Sequence, residues 1–170
     1  IRGGVPPRPE ARFDAAAEAV IAECLAKGDT GAHEPGLDLS AVASYTRLIG
    51  RGRFPFRVFA ALSGRKAWGE YRERGAPESV GDDHLTVGAL KLWLDGALGS
   101  RGAALHAPYC DDPANTGLVL VPPEEVDRLT RDAVSRGFHV WVHAIGDRAN
   151  ALVLDVFGRV LAAGGPPPGL

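Results

Sequence analysis

Apolar positions along this chain fall into two rhythms that take turns. Between Phe13 and Lys27, residues Phe13, Ala17, Val20, Ile21 and Cys24 recur at helical spacing, and Gly28 supplies a stop. Asp29 to Glu34 reads as a short extended piece ending at the Pro35-Gly36 break. Val42, Tyr45, Leu48 and Ile49 predict a second helix, closed by Gly50 and Gly52. The compact apolar run from Phe56 to Leu62, bounded by Pro55 and Gly64, predicts a buried strand, and Lys66 to Arg74 a short helix. A second buried strand is expected over Leu85 to Leu94. From Asp95 to Val121 no period holds, and a stretch of that length inside a compact domain is an active-site loop or a disordered segment. Pro122 opens a helix running to Arg136, with proline and acids in its first turn and Val126, Leu129, Ala133 and Val134 on its apolar face; Gly137 ends it. Phe138 to Ala144 predicts another strand. Asp147 starts a last helix carrying Leu152, Val153, Val156, Val160 and Leu161, and the GGPPPGL tail reads as a turn or linker.

Strands alternating with helices, without hairpin signals or repeats, predict βα units and a parallel sheet. Four such strands make about half of a (β/α)8 TIM barrel, whose usual size is ~250 residues. A doubly wound sheet is the alternative, but its G-x-G-x-x-G turn is missing. The fold expected is therefore α/β, a partial TIM barrel, with residues 1–170 an interior fragment of one barrel domain. The start at Ile1 and the lack of methionine suggest the same.

Composition narrows the partners. A net charge of −2 and a pI near 6.2 argue against nucleic acid, and no apolar run of membrane-spanning length, about 18 residues, exists. Cys24 and Cys110 are too few for a disulfide scaffold, which suggests a reducing, cytoplasmic setting. Of 19 basic residues only three, Lys27, Lys66 and Lys91, are lysine, and Lys91 lies within an apolar run.

In parallel α/β folds, working groups sit at the C-terminal ends of strands. A period of two puts Val87, Ala89, Lys91, Trp93 and Asp95 on one side of the 85–94 strand, with the leucines opposite, against helices. A buried ammonium must find a carboxylate, lose its proton or be modified. Three readings of Lys91 follow: an ion pair with Asp95, a deprotonated nucleophile, or a carboxylated lysine binding metal. On the next strand His139, Trp141 and His143 share a side, and His143, at the C-terminal end, is placed as a metal ligand or base, while His139 reads as a core histidine. His33 either lines a pocket or pairs with Glu34, His84 is expected in solvent, and His106 lies in the long loop. Gly96, Gly99 and Gly102 give the turn after Lys91 backbone freedom, either as a tight loop with positive φ or as a phosphate cradle assisted by Arg101.

The run KLWLDGALGSRGAAL, then PYCDDP, then VHAIGDRAN resembles the amidohydrolase family 3 proteins of the metal-dependent hydrolase superfamily, which include N-substituted formamide deformylase. TGAHEPG at 30–36 is similar to the family's second barrel strand, and the PPPGL tail to the approach to its sixth. The resemblance implies strands 2 to 5 of a barrel and hydrolysis of non-peptide C–N bonds, such as amides or N-substituted formamides, by metal-activated water. The implied cofactor is a divalent metal, zinc by preference, one or two ions. By position, Lys91 is similar to a lysine carboxylated in related proteins, and His143 to the fifth-strand metal ligand. Asp95, Ser100, Arg101 and Tyr109 fall where the substrate pocket is shaped, and Asp147 where a partner supports a ligand. The family pattern also has a His-x-His pair on the first strand, a histidine on the sixth and an aspartate on the eighth. This chain carries none of them, so the segment alone is expected to be inactive and, with two open sheet edges, prone to associate as a homo-oligomer. The implied partner is a small amide-type substrate. The rivals are a Schiff-base lyase or aldolase using Lys91, and a non-catalytic βα scaffold.

Overall fold

The computed structural model describes residues 9–164; the PPPGL tail and its expected turn lie outside them. The order is α1 (Glu10–Ala26), β1 (Gly31–Leu37), α2 (Leu39–Gly50), β2 (Arg57–Ser63), α3 (Gly64–Tyr71), β3 (Glu78–Val80), β4 (Leu85–Trp93), α4 (Pro123–Ser135), β5 (His139–His143) and α5 (Asp147–Gly164). The chain punctuation acts as its chemistry requires. Gly28 and Gly137 follow α1 and α4 at φ +92° and +82°, a left-handed turn that glycine enters without a Cβ clash. Asp38 caps α2 by accepting the Ala41 N–H at 2.9 Å.

β1, β2 and β4 run parallel, side by side. The far edge of β4 is shared: β5 pairs in parallel with its C-terminal half, from Ala89↔His139 to Trp93↔His143, and β3 pairs antiparallel with its N-terminal half. Four parallel strands with helices outside, as in part of a TIM barrel, are what the alternation predicted. Among the described residues β1 and β5 are each paired on one side only.

The core lies between the sheet and the helices. Leu48, Leu62, Leu85, Leu90, Leu92 and Trp68 are almost wholly buried there, and the Phe138 ring meets Trp68 edge-on at 5.0 Å. One carboxylate crosses this layer: Asp132 of α4 accepts from the Trp68 indole at 2.9 Å, Arg72 at 3.0 Å and Arg136 at 3.0 Å, tying α3 to α4.

Several details depart from the sequence reading. Strand β1 continues through Pro35-Gly36 to Leu37, with a register shift between Glu34 and Leu37; a proline is tolerated because β1 is an edge strand with an irregularity there. Strand β3 was not foreseen, since three residues carry no period; the turn after it holds Gly81, Asp82 and Asp83 all at positive φ. Period two also fails within β4. The pairing with β2 moves from Ala60↔Val87 to Ala61↔Ala89, leaving Gly88 as the extra residue of a bulge. Val87 therefore belongs to the core with Leu85, Leu90 and Leu92, not to the face of Lys91. A Cβ at Gly88 would lie 2.6 Å from the Phe59 ring, which explains the glycine at that bulge. His84 is half-buried rather than in solvent, its Nδ1 bonded to the Gly81 carbonyl oxygen.

Candidate metal centre

Register decides which side chains meet. Lys91 is paired with Ser63 of β2 and Trp141 of β5, while Trp93 is paired with His143. In-register residues on neighbouring strands share a face, so Lys91, Trp93, Trp141 and His143 lie on the sheet face opposite the helical core, toward the C-terminal strand ends. Lys91 and His143 stand one diagonal step apart on adjacent strands, within reach of long side chains. Deeper on the same face, His33, Phe59, His139 and Trp141 form a cluster with ring centroids 5.4–5.8 Å apart.

Lys91 is half-buried, and burial alone pulls its pKa below the usual lysine value. Its Nζ lies 5.7 Å from the centre of the Trp93 ring, within cation–π range. No carboxylate among the described residues pairs with it; the ion pair with Asp95 does not form, because Asp95 is engaged elsewhere. Trp93 is 38% exposed and lies over the backbone of Gly36 and Gly64, where a Cβ would touch its ring at 3.9 and 3.8 Å. Beside it a recess of about 660 Å3 is lined by Gly36, Asp38, Ser63 and Trp93.

Asp95 does not face the recess. It lies just past β4, is 1% exposed, and accepts three backbone N–H groups: Ala104 at 2.9 Å and Gly146 at 2.8 Å on Oδ2, Ile145 at 3.0 Å on Oδ1. Burial pushes its carboxyl pKa up, but these three bonds, with the nearby His143, more than offset it and hold the pKa below the usual carboxylate value. His143 Nε2 stands 3.9 Å from Asp95 Oδ1, too long for a hydrogen bond.

The segment 95–121 is an ordered loop. It is laced by Gly96 N–H to Gly102 O (3.0 Å), Leu105 N–H to Thr116 O (2.9 Å) and Leu120 N–H to Leu94 O (2.7 Å). Positive φ in its first turn falls on Arg101 (+54°) and on none of Gly96, Gly99 and Gly102; Gly96 instead allows close approach to the Gly102 backbone, 3.2 Å from a Cβ placed there. The Arg101 guanidinium is held by Asp111 at 2.7 and 3.1 Å, and Ser100 donates to the Ala97 carbonyl at 3.2 Å; both are exposed. Tyr109 is buried, its hydroxyl donating to Ala103 O at 2.9 Å. Asp147 accepts the His106 N–H at 2.9 Å and the Arg148 N–H at 2.8 Å, joining the loop to the start of α5. The structure thus brings Lys91 and His143 onto one face, and places Asp95, Tyr109 and Asp147 in the framework behind them. The sequence reading passed over two contributors, Ser63 and Gly146. A Cβ at Gly146 would lie 1.9 Å from the Ala104 carbonyl oxygen. Its signal was the glycine just ahead of the Asp147 helix start.

Residues 1–168 match the sequence profile of the amidohydrolase family. The chain belongs to that family. It is 35% identical over 162 residues to YtcJ of Bacillus subtilis (strain 168), covering 91% of this chain and 30% of YtcJ. It is 41% identical over 87 residues to protein LONG AFTER FAR-RED 3 of Arabidopsis thaliana, covering 51% of this chain and 15% of that protein. Crystal structures of uncharacterized metal-dependent hydrolases from Pyrococcus horikoshii OT3 and Pyrococcus furiosus superpose with TM-scores of 0.80 at 29% identity, over 89% and 90% of this chain and 31% and 32% of theirs. The chain thus spans about a third of these relatives or less.

The family implies a divalent metal, and the donor set present fits one side of such a centre. An amine and an imidazole, each free of other hydrogen bonds among the described residues, share a face at the strand ends. No group of three or more His, Cys, Asp or Glu among the described residues is close enough to hold an ion.

Proposed function

We propose that this chain supplies one side of the metal centre of a hydrolase that cleaves carbon–nitrogen bonds outside peptides, in amides or N-substituted formamides. The observation that carries the reading is Lys91: a half-buried amine with no carboxylate partner among the described residues, on the face of His143 at the C-terminal strand ends. Bound there, a divalent metal, zinc by preference, supplies Lewis-acid polarisation of the substrate carbonyl and activation of water near neutral pH. Lys91, after its neutral amine adds CO2 and releases a proton to give a carbamate, would hold it together with His143. Trp93, lying over Gly36 and Gly64, walls the adjoining recess and gives an apolar substituent a flat surface. A centre of this kind needs more donors than the described residues bring together, so the 170-residue chain alone is expected to be inactive.

The Lys91 amine, half-buried on this face and with its pKa lowered by that burial, also favours a second reading, a Schiff base formed with a carbonyl substrate. One comparison separates the two: metal content and amidase activity of the natural gene product beside its Lys91→Ala and His143→Ala variants. Loss of metal in both variants supports the hydrolase. Metal-free activity with borohydride trapping of substrate on Lys91 supports the Schiff base instead.

A further inference from the structure

The buried Asp95 carboxylate ties two backbone segments to the end of β4: the loop at Ala104 and the β5–α5 turn at Ile145 and Gly146. An aspartate with three backbone donors and 1% exposure is not available to a substrate. Its contacts explain why the surrounding geometry is tight. Gly146 lies so close to Ala104 that no Cβ fits between them, Ala149 N–H bonds Ala104 O at 3.3 Å, and Leu94 N–H bonds His143 O at 2.9 Å. The backbone at and just after His143 is thereby pinned: by β4 at the His143 carbonyl itself, and by Asp95 two residues later.

We propose that Asp95 is a positioning residue: its carboxylate clamps the 104 segment and the 145–146 turn together, so that the His143 imidazole is held in place as a metal ligand without touching the metal or substrate itself. The inference rests on the reading of His143 as a ligand. The negative charge, 3.9 Å from Nε2, adds an orienting field on the ring. Replacement by asparagine keeps the shape but turns one acceptor oxygen into an NH2 donor, which then faces a backbone N–H.

The test uses the natural gene product, with Zn2+ affinity measured by competition against a chromogenic chelator and the visible spectrum recorded after Co2+ substitution. Amide hydrogen exchange is followed at Ala104, Ile145 and Gly146. Asp95→Asn is expected to weaken Zn2+ binding about 10–100-fold and to alter the Co2+ spectrum. Exchange at the three amides should rise at least about tenfold. Asp95→Glu, which retains charge and acceptors, is expected to recover part of the affinity. Wild-type affinity and spectrum in Asp95→Asn, with faster exchange, would show that the carboxylate staples the loop only, and overturn the proposal. Unchanged Zn2+ affinity in His143→Ala would remove the metal reading and the proposal with it, whereas loss in His143→Ala without loss in Asp95→Asn removes the proposal alone. Where neither Asp95 variant folds, wild-type exchange decides. By linkage, Zn2+ loading should slow exchange at the three amides relative to amides in α1, and no change would overturn the proposal.

Discussion

Gly146→Ala is the sharpest probe of how the loop and the strand ends are locked together. A Cβ at this position would sit 1.9 Å from the Ala104 carbonyl oxygen, 2.4 Å from its carbon and 2.7 Å from its nitrogen. Backbone, unlike the tip of a side chain, cannot swing aside, so the 104 segment must retreat by more than 1 Å to reach ordinary van der Waals contact, roughly 3.4 Å or beyond. That retreat breaks the Ala104 N–H bond to the Asp95 carboxylate and the Ala149 N–H bond to Ala104 O. A hydrogen bond to a charged group contributes about 1.5–3 kcal/mol and a neutral one about 1 kcal/mol. Overpacking strain adds about 1–3 kcal/mol. The expected loss is therefore at least about 3 kcal/mol, a large share of the stability of an ordinary domain. Urea unfolding of the natural gene product reads it, with Gly99→Ala as control; nothing lies within 4 Å of a Cβ there, so that variant should stay within about 0.5 kcal/mol of the parent. A Gly146→Ala protein within about 1 kcal/mol of the parent would refute the account of this junction.

Further expectations concern the helix layer and the sheet bulge. Asp132→Ala removes the acceptor for Trp68, Arg72 and Arg136 and should cost about 2–3 kcal/mol in urea unfolding, while a surface pair such as Lys27–Glu23 should cost under about 1 kcal/mol. Burial pushes the Asp132 pKa up, but the bonds from Trp68, Arg136 and Arg72 outweigh it and leave the carboxyl below its usual 3.8. A depressed folded value stabilises the protein above the unfolded pKa, and that contribution is lost as pH falls through the folded value, so acid unfolding below about pH 4 should flatten in Asp132→Asn. Gly88→Ala should cost about 1–3 kcal/mol, because its Cβ would press the Phe59 ring at 2.6 Å; an unchanged midpoint would mean that the ring turns aside freely.

Much of the fold was legible because helices and buried strands write their periods directly into sequence. Helix α4 shows how: Val126, Leu129 and Ala133 face the core, and Pro122, Pro123 and Gly137 mark its ends. What misled was local irregularity. Val87 was assigned to the face of Lys91 because period two assumes an unbroken strand, and one extra residue at Gly88 reverses the faces before it. Strand β3 escaped because three residues show no rhythm, and its partner is fixed only by the turn that brings it back onto β4. The proline in β1 marked a break in sequence, yet an edge strand with a shifted register accommodates it.

For the site, the sequence by itself determined the chemistry on offer: an isolated lysine in an apolar strand, a histidine at a strand end, and motifs similar to those of metal-dependent hydrolases. It could not tell which polar side chains face the work and which hold the frame. Asp95, Arg101 and Tyr109 all stand in the same motif region, but only tertiary contacts show that Asp95 is consumed by three backbone donors, Arg101 by Asp111 and Tyr109 by Ala103. The reason is physical. Residue type and spacing set what a side chain can do, whereas its partners lie 6 to 51 positions away, and only strand register and loop closure bring them within hydrogen-bonding distance.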